Sequence, residues 1–276
     1  HPSGRWFTYN SPMEGYRIPF YAEANWQARP GAPEMNCCSA TGAKVVGLLD
    51  GWLASSGAYG VCVNYYGTCE IRTYTPSGAH LRLAQTSAYP ENGDIRIVLH
   101  PEKEERFALK LRIPMWAKSV CACVNGKGED IPDILPGSYL ALERVWKDGD
   151  EVALTIPMRI WFQAGEGECA GRCAVYRGPV LLAYDDAHNE TAFSEHLPEM
   201  DAADMEYLPA QTDSTCPPWM LFSFRADDGK RVALCDFMSA GMSGSRYTTW
   251  LNILSVSAAP FSKENPLRIA EINESK

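Results

Sequence analysis

Two adjacent cysteines, Cys37 and Cys38, are the residues of this sequence best suited to chemistry. They directly precede a run with helical periodicity, so we expect them at the N-terminus of a helix. Unpaired backbone N–H groups and the positive end of the helix dipole lower the pKa of a thiol there. Since an ordinary disulfide needs well-separated Cα atoms, the pair favours metal ligation or nucleophilic attack. One buried and one idle cysteine is the alternative interpretation.

A zinc ion at this pair would need more ligands than the sequence supplies nearby. Zinc takes four ligands in most structural sites, and the plausible local third ligand is Glu34. Three other cysteine pairs lie close in sequence. Cys62 and Cys69 flank a predicted hairpin turn, so they could face each other or be packed thiols, and Cys121 and Cys123 share a core-facing side of a strand. Cys169 and Cys173 have a loose ligand-like spacing but no nearby His, which disfavours a zinc site there.

The carboxylates do not form an evident catalytic pair. Most glycosidases hold two carboxylates across the scissile bond, and no loop offers such a pair with specificity. The acidic pairs Asp185–Asp186 and Asp227–Asp228 are interpreted as solvated turns. Exposed Trp and Tyr residues could stack on sugar rings, but a β-sandwich core explains most of the 30 aromatics.

The vicinal cysteines are positioned by a predicted helix. Val45, Leu48, Leu49 and Trp52 recur at helical spacing, and the pattern predicts that the helix ends near Gly57. It follows an aromatic-rich stretch, residues 5–33, interpreted as an ordered loop. A lone amphipathic helix after such a loop suggests packing against helices outside this chain.

From Tyr59 onwards the hydrophobic period changes to two, which predicts β-strands. Short strands with Gly, Pro or Asn at the joins are typical of antiparallel sandwiches. The dipeptide Asn125-Gly126 predicts a tight hairpin turn. Residues 185–218 are acidic and read as irregular. The predicted strands are 61–66, 69–74, 79–84, 94–98, 107–113, 120–124, 139–143, 151–156, 173–184 with a break at Gly178-Pro179, 219–224, 231–235 and 248–254.

Composition sets the class of protein. The 276 residues are 46% hydrophobic and 21% charged, as in ordinary globular chains long enough for two domains. A net charge of −9 disfavours nucleic acid, and no apolar run is long enough to span a bilayer. The ten scattered cysteines suggest free thiols and a reducing compartment such as the cytoplasm. A start at His1 without Met suggests a fragment or processed product.

Several ordered segments together resemble the C-terminal part of glycoside hydrolase family 127, the β-L-arabinofuranosidase-like proteins. They are Tyr9–Met13, Cys37-Cys38 with the helix that follows, Val63–Tyr66, Gln85–Pro90, Leu111–Ala117, Val124–Gly126, Arg144–Asp150 and Tyr176–Pro179.

The resemblance implies a parent enzyme with an α/α-barrel followed by two β-sandwiches, acting on a carbohydrate. In such enzymes a cysteine attacks the anomeric carbon with retention, while zinc held by one Glu and three Cys keeps that sulfur deprotonated. By position, Cys37 resembles the nucleophile and a zinc ligand, and Cys38 a second zinc ligand. Tyr9 would border the sugar pocket. The other ligands and the acid/base Glu would precede His1, in the upstream barrel.

The expected organisation is therefore a mainly β chain. Residues 1–57 are the last loop and helix of an α/α-barrel, 58–158 a first antiparallel β-sandwich and 159–276 a second. The family commonly has a Cys-Cys-Pro-like form where this chain has Cys37–Gly42 as Cys-Cys-Ser-Ala-Thr-Gly, which bears on the choice of sugar. The alternatives are a non-catalytic carbohydrate-binding or interaction module and a redox-responsive scaffold.

Overall fold

The protein is mainly β, with a single α-helix among the residues described. The computed structural model describes residues 11–17, 37–129, 135–209, 217–253, 256–257 and 259–270. The helix, α1, is Cys37–Leu48. Short 3₁₀ turns lie at Asp50–Trp52, Gly167–Cys169 and Asp186–His188.

The described part of the chain contains nineteen strands, numbered in chain order. They are β1 (Glu14–Tyr16), β2 (Ala54–Gly57), β3 (Gly60–Val63), β4 (Cys69–Tyr74), β5 (His80–Ser87), β6 (Asp94–Pro101), β7 (Glu105–Arg112), β8 (Cys121–Val124), β9 (Lys127–Gly128), β10 (Tyr139–Trp146), β11 (Glu151–Thr155), β12 (Ile160–Ala164), β13 (Cys173–Arg177), β14 (Val180–Asp185), β15 (Glu199–Leu208), β16 (Leu221–Ala226), β17 (Arg231–Asp236), β18 (Arg246–Thr248) and β19 (Trp250–Ile253).

The chain divides into two compact units, one of Val46–Arg159 and one of His1–Val45 with Ile160–Lys276. The first contains a four-stranded sheet in the order β10-β7-β3-β2 and a six-stranded sheet in the order β4-β5-β6-β11-β8-β9. Every strand pairing in this unit is antiparallel except β3 with β7, which is parallel.

Alternation of apolar and polar residues gives each sheet of this unit one buried face. On β6, Ile95, Ile97 and Leu99 are at most 3% exposed, while Asp94 and Arg96 face solvent. Period-two patterning has this effect because successive strand side chains point to opposite faces. The indole Nε1 of fully buried Trp146 donates to the carbonyl of Phe107 at 3.0 Å, which satisfies the polar group of that ring.

The second unit is built on a nine-stranded sheet whose pairings close on themselves. The strands β13, β14, β17, β16, β15 and β19 form a ring, since β14 pairs with both β13 and β17 and β15 pairs with both β16 and β19. Its core is formed by large side chains including Phe162, Phe222 and Phe224, each at most 2% exposed. The short strand β1 joins this unit by pairing with β18.

The hairpin turn at Asn125-Gly126 is confirmed. Both residues have positive φ, 51° and 75°, which is the conformation that Asn-Gly supplies at low cost. The predicted strand 173–184 is broken at Gly178-Pro179 as expected, and its two parts, β13 and β14, pair with each other as a hairpin. Gly178 has a φ of 54°, so this glycine makes a turn and not a bend in one strand.

Three other expectations are wrong. Helix α1 ends at Leu48 and not near Gly57, because residues 54–57 form β2 and pair with β3. The stretch 185–218 contains the ten-residue strand β15. Cys62 and Cys69 lie on strands of different sheets, so they do not face each other across a hairpin.

Candidate functional site

Cys37 and Cys38 are the first two residues of helix α1, as the sequence predicts. The first backbone N–H groups of a helix have no partner within the helix, so this position favours an anionic sulfur. The first turn of α1 contains no acidic residue that would oppose a thiolate. The side chains of residues 37–40 lie outside the described part of the structure, and so do Tyr9 and Glu34.

The apolar residues that follow the cysteines are exposed. Val46 is 60% exposed, and Val45, Leu48, Leu49 and Trp52 are each 43–44% exposed. These five residues form what we call the exposed apolar stripe. Contiguous exposed apolar surface on a helix commonly marks a docking face. The stripe is therefore unlike the apolar faces of the strands, which are buried.

The outward side of β8 holds cysteines that sequence patterning placed in the core. Cys121 is exposed and Cys123 is half-buried, whereas Ala122 and Val124 between and after them are at most 4% exposed. The alternation was right, but the buried face is the one with Ala and Val. The seven cysteines whose side chains the structure describes are all free thiols, with no disulfide among them.

A second group of ligand-type side chains lies in the unit that contains β14 and β17. Asp185 ends β14, His188 ends the 3₁₀ turn that follows, and Cys235 lies near the end of β17. One ligand atom from each lies within 4.8 Å of the others. We call these three residues the β14–β17 cluster. His188 also lines a cleft of 480 Å³, together with Asn189, His196 and Lys230 among others.

The interior of the β14–β17 cluster is shielded from water. Asp185 is 1% exposed and Cys235 is fully buried. Asp185 accepts hydrogen bonds from the backbone N–H groups of Ala187 at 2.9 Å and Gly241 at 2.8 Å. Burial raises the pKa of the Cys235 thiol well above its ordinary value, and the charges of Asp185 and Asp236 raise it further.

Sequence patterning missed this cluster. It interpreted Asp185 as a solvated turn residue, and the structure shows it buried because two backbone N–H groups replace its water. The separation of 47 positions between His188 and Cys235 conceals their proximity, since β14 and β17 meet only through sheet pairing. The one available signal was Asp-Asp-Ala-His at the end of an apolar strand.

Among the described residues, no helix is both long enough and apolar enough to cross a membrane.

Most of the first unit matches a known protein family. Residues 60–158 match the family described as "Beta-L-arabinofuranosidase, GH127 middle domain". A search of curated proteins found no match.

The fold is similar to solved glycoside hydrolases. A structure described as a glycoside hydrolase matches with a TM-score of 0.73 and 20% identity, over 91% of this chain and 45% of that one. A GH127 beta-L-arabinofuranosidase from Geobacillus stearothermophilus T6 matches with a TM-score of 0.74 and 20% identity, over 91% of this chain and 43% of that one. A GH127 beta-arabinofuranosidase matches with a TM-score of 0.71 and 21% identity, over 91% and 42%.

These findings show that the chain is similar in fold to part of solved glycoside hydrolases. Residues 60–158 match the GH127 middle-domain family, and the predicted resemblance of the chain to the C-terminal part of a GH127 protein is confirmed. The chain spans less than half the length of the solved proteins that it matches.

Proposed function

We propose that this chain is the C-terminal portion of a retaining glycoside hydrolase of the β-L-arabinofuranosidase type, with Cys37 as the nucleophile. The observation that carries the proposal is the position of Cys37 and Cys38 as the first two residues of α1, ahead of a GH127 middle domain. The GH127 relatives supply the substrate class, a terminal arabinofuranose.

The donor chemistry of the pair fits zinc. Thiolates are the soft ligands that zinc prefers, and a helix start favours their ionised form. Cys37 and Cys38 would hold the ion through their sulfurs, with a Glu and a third Cys from residues before His1. When bound, zinc keeps the nucleophilic sulfur deprotonated at neutral pH.

Cys37 then acts as the nucleophile. Its sulfur attacks the anomeric carbon, the carbon–sulfur bond forms, and the glycosidic carbon–oxygen bond breaks. The leaving oxygen takes its proton from an acid residue before His1. Water then attacks the same carbon from the opposite side, the proton of that water returns to the acid/base residue, and the Cys37 thiolate is released. Two inversions give net retention. Tyr9 borders the sugar in this proposal.

The architecture follows from the buried faces. Two sheets that each bury one face within one compact unit form a sandwich by packing those faces together, and we propose this for 58–158. For 159–276 we propose that opposite sides of the closed nine-stranded sheet pack as a second sandwich around the buried core of that unit. Residues 1–57 would be the final loop and helix of an α/α-barrel. The exposed apolar stripe supports this, because burying it against helices of that barrel removes it from water.

The test is a matched set of cysteine variants in the polypeptide that includes the residues before His1. Cys37→Ser is expected to lower kcat on an aryl β-L-arabinofuranoside by about 10⁴-fold or more, since nucleophile removal has effects of that size. Cys38→Ser is expected to lose both zinc and activity. Cys62→Ser, on a strand of the first unit, serves as the control and is expected to leave kcat unchanged.

Thiol labelling separates the enzyme from a carbohydrate-binding module. In the native protein, Cys37 is expected to react selectively with iodoacetamide, and zinc removal is expected to change that rate. An active Cys37→Ser variant, or equal unreactivity of all ten thiols, contradicts the nucleophile and favours the binding module.

A further inference from the structure

The β14–β17 cluster brings three different metal-binding side chains to one point. Asp185 offers a carboxylate oxygen, His188 an imidazole nitrogen and Cys235 a sulfur, and these atoms lie within 4.8 Å of one another. They come from three elements, the end of β14, the 3₁₀ turn and β17. None of them belongs to the vicinal pair at α1.

One atom of the cluster lacks a partner. The Nδ1 atom of His188 is buried and accepts or donates no hydrogen bond in the structure. Buried polar atoms are nearly always paired, so an unpaired ring nitrogen on a histidine of this cluster calls for an explanation. A metal cation would provide one, because neutral imidazole donates the lone pair of such a nitrogen to a metal.

The donors and their spacing suit zinc. Sulfur, imidazole and carboxylate are the three ligand types that zinc takes in proteins. Zinc–ligand bonds of the usual lengths place tetrahedral ligands about 3.5 Å apart, so the largest separation must close by roughly 1 Å. His188 can make that movement, since it is half-buried at the end of a short turn.

The electrostatic surroundings favour a cation. Asp185, Asp186 and Asp236 lie on the same elements as the cluster, and the Asp236 carboxylate is fully buried. The carboxylates that disfavour a free Cys235 thiolate favour a bound divalent ion, which neutralises the thiolate, and they outweigh the opposite and smaller effect of the Arg17 guanidinium on Cys235.

We propose that Asp185, His188 and Cys235 bind one zinc ion, with a fourth position open to water from the cleft that His188 lines. On binding, the Cys235 thiol releases its proton to solvent and the sulfur–zinc bond forms, with no oxidation or reduction. This site is independent of the proposed function and of the zinc expected at Cys37 and Cys38. By joining β14 to β17 across the 3₁₀ turn, it would fix one wall of the cleft.

The experiment uses the 276-residue chain with Cys37→Ser and Cys38→Ser, which removes the vicinal pair as a source of zinc binding. After treatment with a chelator, the chain is titrated with Zn²⁺ and, separately, with Co²⁺. We expect one equivalent of zinc by elemental analysis and a thiolate-to-cobalt charge-transfer absorption. Zinc is also expected to raise Tm, because it binds the folded state.

Four variants in the same background assign the ligands. Cys235→Ala is expected to abolish the cobalt charge-transfer band, and His188→Gln to weaken zinc binding by at least about tenfold. Cys173→Ala, another buried cysteine of this unit, and His196→Gln, another histidine of the cleft, are the matched controls and are expected to bind as the background does. If the Cys235→Ala chain fails to fold, His188→Gln still tests the ligand assignment.

Two outcomes overturn the proposal. One is a folded double-serine chain, shown by circular dichroism, that binds no zinc. The other is zinc binding that neither His188→Gln nor Cys235→Ala weakens. If zinc is bound by the unmodified chain and lost with Cys37→Ser and Cys38→Ser, the vicinal site stands and this one fails. Zinc binding that depends on His188 in the double-serine chain supports this site and has no bearing on the vicinal one.

Discussion

Buried carboxylates in this protein are held by backbone N–H groups rather than by basic side chains. Asp236 is fully buried and accepts from the N–H groups of Met220 and Ser239, both at 2.9 Å, and from the Ser239 hydroxyl at 3.0 Å. Asp185 accepts two backbone N–H groups in the same way. Charge-assisted bonds of this kind compensate the loss of water around a carboxylate. Sequence alone cannot show them, because the donors lie up to 56 residues away.

Glu105 gives a residue-scale prediction in the first unit. Its carboxylate accepts from the Thr75 hydroxyl at 2.7 Å, the Ser77 N–H at 3.0 Å and the Ser77 hydroxyl at 2.6 Å, and so holds the turn before β5. Partial burial opposes the ionised form, but the bonds from Ser77 and Thr75 outweigh it and lower the pKa of Glu105. Glu105→Gln should lower the free energy of unfolding at neutral pH by about 1.5 kcal/mol.

The pH dependence of that difference has a definite sign. Because the folded state has the lower pKa, the stabilisation is complete above the ordinary carboxyl pKa of about 4.3 and is lost as pH falls through the folded value. Urea unfolding of both proteins at pH 7 and at about pH 3 should show the difference shrinking in acid. Glu104→Gln, whose exposed carboxylate pairs with Lys147 at 3.3 Å, is the control and should change stability little. A difference equal at both pH values would contradict the assignment.

At the scale of elements, period-two patterning located most strands but not their partners. The segment predicted as 69–74 is β4 without change, and 94–98 lies within the longer β6. The ten-residue β15 was missed because four of its residues are acidic and its polar–apolar alternation is interrupted at Ala202-Ala203, where the pairing with β16 shifts register. It is a strand because β16 and β19 flank it and supply backbone partners, which local pattern cannot reveal.

Whereas β15 was missed, helix α1 was predicted to be longer than it is. Its apolar spacing continued to Trp52 and Leu53, so the pattern extended the helix past its true end at Leu48. Helical structure cannot extend into Ala54–Gly57, because the backbone N–H and C=O groups of this segment pair with β3 and are not available for helical hydrogen bonds. At the other end, the pattern placed the cysteines directly before the helix, and the structure makes them its first two residues.

The junction between β6 and β11 gives an element-scale prediction. A Cβ on Gly93, just before β6, would lie 1.7 Å from the carbonyl oxygen of Ile156, just after β11. The Ile156 N–H also donates to the Gly93 carbonyl at 2.9 Å, so the two backbones cannot separate without losing that bond. Gly93→Ala should lower the free energy of unfolding by about 3 kcal/mol.

The matched control for Gly93→Ala is Gly128→Ala on β9. No atom lies within 4 Å of a Cβ placed at Gly128. Thermal unfolding of the two variants should give a clearly lower Tm for Gly93→Ala and a nearly unchanged one for Gly128→Ala. Equal Tm values would mean that β6 and β11 can move apart at this junction.

At the scale of the whole molecule, residue patterns predicted the class of fold, and the ordered motifs predicted the family. Neither could supply the β14–β17 cluster, which exists only once β14 and β17 pair. The expected domain boundaries, after residue 57 and after residue 158, remain predictions. The two compact units divide the chain after Val45 and after Arg159. The first of these divisions falls within α1, the helix that begins with the vicinal cysteines.

The vicinal pair leads to a prediction about the isolated chain. Two sulfurs supply half of a four-ligand zinc site, and in the proposed mechanism the acid/base residue also precedes His1. The 276-residue chain alone should therefore fail to hydrolyse an aryl β-L-arabinofuranoside even with excess zinc. The longer polypeptide should be active and should lose activity with a chelator. Turnover by the isolated chain at the rate of the longer polypeptide would show that Cys37 works without those partners, and the proposed ligand set would then be wrong.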